Sequence, residues 1–166
     1  IMATLAVTIT ESVTLNGAAR GSTNSLSVTG VNDIYHRIVS CPANVPLKLA
    51  TFKSTVGVAI AENLIDIDLV KYIRVTNLDG THPMVLNLLI DIGDGTDGDD
   101  GAATLISSIE VEAGKSFVMG SPHSSILVHD SDVSLNVSNV ALMDLRSIFV
   151  DPVAQAIQCE VFIASA

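Results

Sequence analysis

The residues with the clearest potential for chemistry lie in one acidic, glycine-rich segment at positions 91–101. It holds five aspartates and four glycines in eleven positions, and no lysine or arginine occurs between Arg74 and Lys115. Closely spaced carboxylates repel one another, and a hard cation such as calcium relieves that repulsion. Glycine permits the sharp bends that wrap a short chain around an ion. The candidate calcium ligands are Asp94, Asp97, Asp99 and Asp100.

The spacing within this segment departs from that of established calcium loops. An EF-hand loop beginning at Asp94 would have Thr96 at its third position and Gly98 at its fifth, where Asp or Asn is expected. A glycine- and aspartate-rich calcium repeat has a period of nine residues, and this segment shows no such repeat. The alternative is a hairpin tip in which Asp and Gly supply turn conformations. Both interpretations stay open.

Sequence motifs for enzymatic chemistry are missing. No G-x-S-x-G nucleophile elbow is present, and Gly120–Ser124 imitates one only superficially. Gly114–Ser116 lacks the upstream glycine that a P-loop requires. The four histidines are not spaced as metal ligands on one strand. We therefore expect no enzymatic activity, and no cofactor other than the calcium considered above.

The two cysteines, Cys41 and Cys159, lie 118 positions apart, and no C-x-x-C motif accompanies them. A structural zinc site is therefore not expected. A long-range disulfide and a pair of small buried apolar residues are the two interpretations.

The composition limits the class of protein to which the chain belongs. Its 166 residues suffice for one domain with a sizeable core. Apolar residues make up 48% and charged residues 16%, which argues against intrinsic disorder. Lys and Arg number 8 against 18 Asp and Glu, and the net charge of −10 argues against a nucleic-acid partner. No run of apolar residues is long enough for a membrane-spanning helix, so we expect no membrane partner.

β-branched residues dominate, with 20 Val, 16 Ile and 12 Thr. Apolar and polar residues alternate in many short runs, which is the pattern of half-buried strands. We count about eleven such runs, separated by turn signals every 8 to 14 residues. Parallel sheets would require helical crossovers. The pattern predicts an all-β fold, an antiparallel β-sandwich that is jelly-roll-like.

Two hairpins and one further strand are predicted individually. Met84–Ile92 and Leu105–Val111 bracket the acidic segment and are predicted to form a hairpin with a long loop. Leu145–Val150 and Ile157–Ile163 are predicted to form a closing hairpin. In Ile65–Leu69, apolar residues alternate with two aspartates, which also predicts a strand.

The chain is predicted to be a single β-sandwich domain over residues 1–166. At most a turn or two of helix is expected, at Val56–Leu64 and at Val140–Leu145. The first 30 residues are richer in Ser, Thr, Asn and Gly than the rest. Residues 1–30 are therefore either an arm exchanged with a neighbouring subunit or an ordinary edge hairpin.

Three segments carry a resemblance to a known group of proteins. Lys71–Asp79, Ile109–Phe117 and Ile157–Ala164 resemble strands of small β-rich virion proteins of tailed bacteriophages, especially marine ones. The resemblance falls within Lys71–Ala166 and includes neither the acidic segment nor the first 70 residues. It implies a jelly-roll-like sandwich that serves as a capsid decoration (cement) protein or as another head or tail component.

The favoured hypothesis is therefore a virion structural protein, a capsid decoration protein that bridges capsomers. Its expected partners are copies of itself and the major capsid protein, and the preferred oligomer is a homotrimer, which follows from the resemblance only. Apolar surface and open sheet edges would supply the contacts. The alternative is a calcium-dependent β-sandwich module that binds a carbohydrate or a receptor, with the four candidate aspartates as ligands.

Overall fold

A computed structural model describes residues 3–53, 64–91, 104–120, 127–129 and 142–166. The described chain consists of β-strands joined by turns, with a single 3-10 turn at Ile67–Leu69. The strands are β1 (Ala3–Thr10), β2 (Thr14–Leu15), β3 (Ala18–Ala19), β4 (Thr23–Val31), β5 (Asp33–Cys41), β6 (Leu47–Lys53), β7 (Leu64–Asp66), β8 (Val70–Asn77), β9 (Met84–Asp91), β10 (Thr104–Val111), β11 (Ser116–Gly120), β12 (Leu127–His129), β13 (Leu142–Asp151) and β14 (Ile157–Ser165).

Two sheets form the body of the protein. One sheet has four strands in the order β11-β8-β14-β5, and all its neighbours are antiparallel. The other has the order β10-β9-β13-β6-β7, with β12 also paired to β13. In this second sheet only the short β6–β7 pair is parallel. The predicted all-β antiparallel sandwich is confirmed.

Consecutive long strands of the body mostly alternate between the two sheets. If the eight long strands from β5 to β14 are renumbered one to eight, without β7 and β12, the sheet orders become 1-8-3-6 and 2-7-4-5. The first and last strands then pair in one sheet, and the second and seventh in the other. This order is compatible with the predicted jelly-roll-like arrangement, in which two sheets share paired Greek-key connections.

One hydrophobic core lies between the two sheets. It contains inward-facing residues of both, such as Val75 and Val161 from the four-stranded sheet and Leu86 and Ile148 from the other, all fully buried. Burial alternates with period two along β9, and along β8 from Ile73 onward, as the sequence pattern predicts. The core therefore holds the sandwich together and fixes which face of each strand points outward.

Residues 3–31 form a long hairpin outside the two sheets. β1 pairs with β4, and β2 pairs with β3 at the tip. The tip turn consists of Asn16 (φ 52°) and Gly17 (φ 77°), so both central residues have the positive φ of a type I′ turn. The base of the hairpin packs face-on against the outer side of the four-stranded sheet, where Val28 and Tyr72 belong to a second apolar cluster.

The predicted closing hairpin is wrong. Leu145–Val150 lies within β13 and Ile157–Ile163 within β14, but β13 pairs with β6, β9 and β12, whereas β14 pairs with β5 and β8. The connection at 152–156 is a corner between the two sheets. Both strands carry an apolar face that the core must bury, and each is central in its own sheet. By contrast, the predicted hairpin of β9 and β10 is confirmed.

Two smaller predictions also need correction. Leu142–Leu145 belongs to β13 instead of a helix, since pairing with β12 and β9 outweighs the helix propensity of Leu and Met. Residues 67–69 form the 3-10 turn instead of continuing a strand, and the carboxylate of Asp66 accepts a hydrogen bond from the Asp68 N–H at 3.1 Å. Of the other proposed helix, Val56–Leu64, only Leu64 is described, and it lies in β7.

Asn77 is a buried polar residue at the end of β8, where the chain turns toward β9. Its side-chain amide donates to the backbone carbonyls of His82 (2.8 Å) and Val111 (3.2 Å), and its side-chain oxygen accepts from the Asp79 N–H (3.0 Å). The residue is fully buried. Asn77 therefore joins the 77–82 turn to the end of β10, and so links the two sheets.

We expect Asn77→Ala to lower the free energy of unfolding by roughly 2–4 kcal/mol, because it leaves two carbonyls and one N–H without their partner. The measurement is urea unfolding followed by circular dichroism. Asn24→Ala is the control: Asn24 is exposed on the hairpin and donates only to Ser22 Oγ, so a loss within about 0.5 kcal/mol is expected. Equal losses for the two variants would contradict the structural role of Asn77.

Candidate functional site: the outer face and the arm

The candidate site is the outward side of the four-stranded sheet, here called the outer face. Residues that are directly opposite in neighbouring antiparallel strands point to the same side, and the observed registers define this set. The outer face consists of Ser116, Val118 and Gly120 on β11, Tyr72, Arg74 and Thr76 on β8, Gln158, Glu160, Phe162 and Ala164 on β14, and Ile34, His36, Ile38 and Ser40 on β5.

Glu160 is the polar centre of the outer face. Its Oε2 accepts a hydrogen bond from Arg74 at 2.8 Å, and its Oε1 lies 2.7 Å from His36 Nε2. The Glu160 side chain is 19% exposed, so both carboxylate oxygens are paired within a largely covered group. Phe162 lies between the two partners, with its ring centroid 5.7 Å from the Arg74 guanidinium and 5.8 Å from the His36 ring.

One half of the outer face is covered by the chain's own hairpin. Tyr72 and Ala164 are buried there together with Val28 and Val31 of β4. Gly120 permits this close approach, because a Cβ at that position would lie 3.2 Å from Leu26 Cδ2 and 3.4 Å from the Tyr72 ring. A Cβ at position 120 would therefore require the Leu26 side chain to shift by a few tenths of an ångström.

The other half of the outer face is here called the uncovered half. It consists of Val118 and Ser116 on β11, Arg74 and Thr76 on β8, Phe162, Glu160 and Gln158 on β14, and His36, Ile38 and Ser40 on β5. Large apolar side chains flank the Glu160 network on both edge strands: Ile38 is 63% exposed on β5, and Val118 is 42% exposed on β11. Ile34, which is 51% exposed, lies on β5 directly opposite Ala164 and therefore belongs to the end of the face that the hairpin approaches. The polar residues Ser116, Thr76 and Gln158 lie in the uncovered half, so Ile38 and Val118 are the exposed apolar side chains that a partner could cover there.

The outer part of the hairpin, residues 8–25, is here called the arm. Every residue from 8 to 25 is exposed, so the arm projects from the body. Three of its large apolar side chains are more than half exposed: Ile9 at 52%, Val13 at 53% and Leu15 at 59%. The backbone of the arm is ordered by hydrogen bonds from Glu11 N to Ser22 O and from Arg20 N to Val13 O, each 2.8 Å.

A tight turn lies at the same end of the sandwich as Asn77. The Asp79 carboxylate accepts hydrogen bonds from the backbone N–H groups of Thr81 and His82, each at 2.8 Å. These hydrogen bonds lower the pKa of Asp79 from its ordinary 3.8 to about 2. A shallow depression of about 280 Å³ adjoins this turn, lined by Leu78, Gly80 and Gln158 among others.

Cys41 and Cys159 are both buried in the core, with their Sγ atoms 3.6 Å apart. They are free thiols in contact, on the adjacent strands β5 and β14. The hydrogen bond with Cys41 raises the pKa of the Cys159 thiol, and burial adds to the increase. The interpretation as two small buried residues matches this arrangement.

The residues predicted to bind calcium cannot be placed in this arrangement. Asp94, Asp97, Asp99 and Asp100 lie outside the described residues, so the calcium site stays a prediction. Within the described ranges, no group of three or more His, Cys, Asp or Glu side chains is arranged to hold a metal ion. In the same part of the chain, no helix has the length and apolarity needed to cross a membrane.

No protein-family model matches the chain, and no curated protein matches it. Among solved structures, it is similar to a chain described under "Bacillus endospore appendages form a novel family of disulfide-linked pili", with a TM-score of 0.33 and 12% sequence identity. The match covers 80% of this chain and 88% of that one. At this TM-score, neither fold nor function is transferred from that protein.

The Asp79 turn predicts a dependence of stability on pH. Because the folded-state pKa lies below the ordinary value, ionised Asp79 stabilises the fold above about pH 4, and this contribution is lost as the pH falls through about 2. We expect Asp79→Asn to be less stable than the parent protein at pH 7 and equal to it near pH 2. The measurement is urea unfolding of both proteins at pH 7, 4 and 2. A difference that stays constant over this range would contradict the assignment.

The buried thiol pair predicts protection from alkylation. Both cysteines have zero exposure, and the thiolate is the reactive form, so labelling requires local opening of β5 or β14. We expect native labelling to be at least about 100-fold slower than labelling in urea. Ser40→Cys provides the control, since this exposed position is expected to react rapidly in the folded protein. Rapid native labelling of Cys41 or Cys159 would show that the end of β5 is not packed as described.

Proposed function

We propose that this chain is a non-enzymatic structural protein that assembles with copies of itself through the arm. The observation that carries the proposal is the arm itself, in which Ile9, Val13 and Leu15 project into solvent on an ordered hairpin. Such apolar side chains gain free energy when a partner covers them, at roughly 25 cal/mol per Å² of apolar surface buried. An ordered projection with exposed apolar groups is suited to reaching a neighbour.

The more specific role we propose is that of a capsid decoration protein in a virion. The three segments that resemble phage virion proteins correspond to β8 with its turn, the β10–β11 corner and β14. β8 and β14 are adjacent in the four-stranded sheet, and the remaining segment leads from β10, at the edge of the other sheet, into β11 beside β8. The net charge of −10 suits a protein that lies on a capsid exterior and does not bind the packaged DNA.

The mechanism would be mechanical. An arm that binds a neighbour at a different surface makes a heterologous contact, and such contacts close into a ring when the rotation between neighbours allows it. A ring of three is the state we propose, following the resemblance. A trimer seated on the shell would bridge capsomers by contacting the major capsid protein, and many small interfaces repeated by symmetry would stabilise the shell.

We expect the purified protein to have a mass of several chains, three in the proposed form, in light scattering on a sizing column. Ile9→Asp combined with Leu15→Asp is expected to reduce it to a monomer, because the charges oppose burial of the arm. Val153→Asp is the matched control: Val153 is equally exposed at 52% but lies on a turn of the body with φ 43°, a conformation that Asp tolerates.

The same measurement with calcium and with a chelator separates the two function classes. An assembly that is unchanged by chelation and that co-sediments with empty phage shells supports the structural role. A monomer whose melting temperature rises with calcium, an effect that Asp97→Ala abolishes, would replace it with the calcium-dependent binding module. A monomer with neither property would contradict both.

A further inference from the structure

Two surfaces of this chain expose apolar side chains that the described body leaves uncovered: the arm and the uncovered half of the outer face. The hairpin shows how they can fit together, because its base already packs on the other half of the same face. There Leu5 and Val7 of β1 pack with Tyr72 and Ala164 of the sheet. The same side of β1 continues into the arm as Ile9, which is 52% exposed. The row of apolar side chains Leu5, Val7 and Ile9 thus extends beyond the part of the sheet that the hairpin covers.

Glu160, at the centre of the uncovered half, has a partner for each of its carboxylate oxygens, although Arg74 Nε has none among the described residues. Covering an ion pair is costly unless its hydrogen-bonding capacity is met within the pair. Here Glu160 has one carboxylate oxygen on Arg74 and the other on His36. An arm with apolar side chains can therefore cover Glu160 without leaving either of its oxygens unpaired, and Ile38 and Val118 supply apolar contacts on either side.

Charge favours this pairing over other contacts between copies. The chain as a whole carries −10, so two copies repel each other over most of their surfaces. The arm contains one acidic residue, Glu11, and one basic residue, Arg20. In the centre of the uncovered half, Glu160 is paired with Arg74. These two surfaces have little net charge and can approach with the least repulsion.

The dimensions of the two surfaces also agree. Residues 8–15 of the arm extend over about 25 Å at the usual rise of a strand. The distance from β5 to β11 is three strand spacings, or about 14 Å. The arm is therefore long enough to cross all four strands and to contact Ile38 at one edge and Val118 at the other.

We propose that the uncovered half of the outer face binds the arm of a second copy of this chain. The proposal rests on the proposed function and gives the acceptor surface for the self-assembly described there. The arm lies across the four strands, as the base of the hairpin does on the other half. Contact at both edges distinguishes this mode from simple strand addition along β5, which would leave Val118 untouched.

The test is a mixing experiment with two complementary defects. The arm variant, Ile9→Asp with Leu15→Asp, keeps an intact outer face. The face variant, Ile38→Asp with Val118→Asp, keeps an intact arm. Light scattering is measured for each variant alone and for an equimolar mixture. We expect each variant alone to be monomeric and the mixture to contain two chains, because one intact arm then meets one intact face.

The control is Ile106→Asp, which changes another exposed isoleucine on an edge strand, at 58% exposure on β10 of the other sheet. It is expected to assemble like the parent protein. The single variants Ile38→Asp and Val118→Asp are each expected to raise the dissociation constant at least tenfold. Thermal unfolding verifies that each variant is folded.

The possible failures can be told apart. If the parent protein is monomeric, the proposed self-assembly fails and the acceptor surface fails with it. If the parent assembles but the mixture remains monomeric, or the face variant assembles as the parent does, self-assembly stands and the outer face is not the acceptor. If Ile38→Asp weakens assembly and Val118→Asp does not, the arm adds along β5 and the crossing mode is wrong.

Discussion

Strands β8 and β14 carry apolar side chains on both faces, and the rest of the structure depends on covering both. Ile73 and Val161 face the core, whereas Tyr72, Phe162 and Ala164 face outward. A two-layer antiparallel sandwich usually leaves one face of each sheet polar and in contact with water. Here a third layer is required, and the base of the hairpin supplies it for one half of the face. The position of the hairpin, and hence the direction of the arm, follows from that requirement.

The other half of the face is not covered by the hairpin and has a charged residue, Glu160, at its centre. The carboxylate is held by Arg74 and His36 beside Phe162. Ile38 and Thr76 lie directly opposite Glu160 on the two adjacent strands. Because Arg74 and His36 are 36% and 49% exposed, an ion pair of this kind adds little to stability. Its effect is to keep a partly apolar surface from being a continuous apolar patch, which would aggregate without selectivity. The surface is thereby compatible with a specific partner and with an unassembled chain.

The sequence predicted elements well where local pattern and tertiary pairing agree, as in β9 and β10. The prediction was wrong where the same local signal is compatible with two topologies. The turn after β13 begins with Pro152 directly after Asp151, and such a turn can close a hairpin or change sheets. The choice depends on which neighbours bury each strand, and that information is not local. Leu142–Leu145 shows the same limit, since helix-favouring residues form a strand when a partner strand is available.

The candidate site was beyond sequence reasoning for the same reason. His36 and Arg74 lie 124 and 86 positions from Glu160, and no spacing connects them. The arm, by contrast, had a usable signal. Asn16-Gly17 between short alternating segments is a strong indication of a type I′ hairpin, and it distinguishes an ordered projection from a loose terminal segment. The acidic segment is recognisable from composition alone. The residues of the outer face come together only through the pairing of distant strands, which composition does not reveal.

The order within the arm determines how tightly a neighbour can be bound. A disordered segment that folds on binding loses conformational freedom at that moment, which reduces affinity for a given buried area. This arm already has its turn fixed by Asn16 and Gly17, and cross-strand hydrogen bonds such as Ser22 to Glu11 (2.9 Å) hold its two strands together. Much of the ordering cost is therefore met before contact. In the proposed ring each chain would both donate an arm and accept one, so that a preorganised contact would be repeated around the assembly.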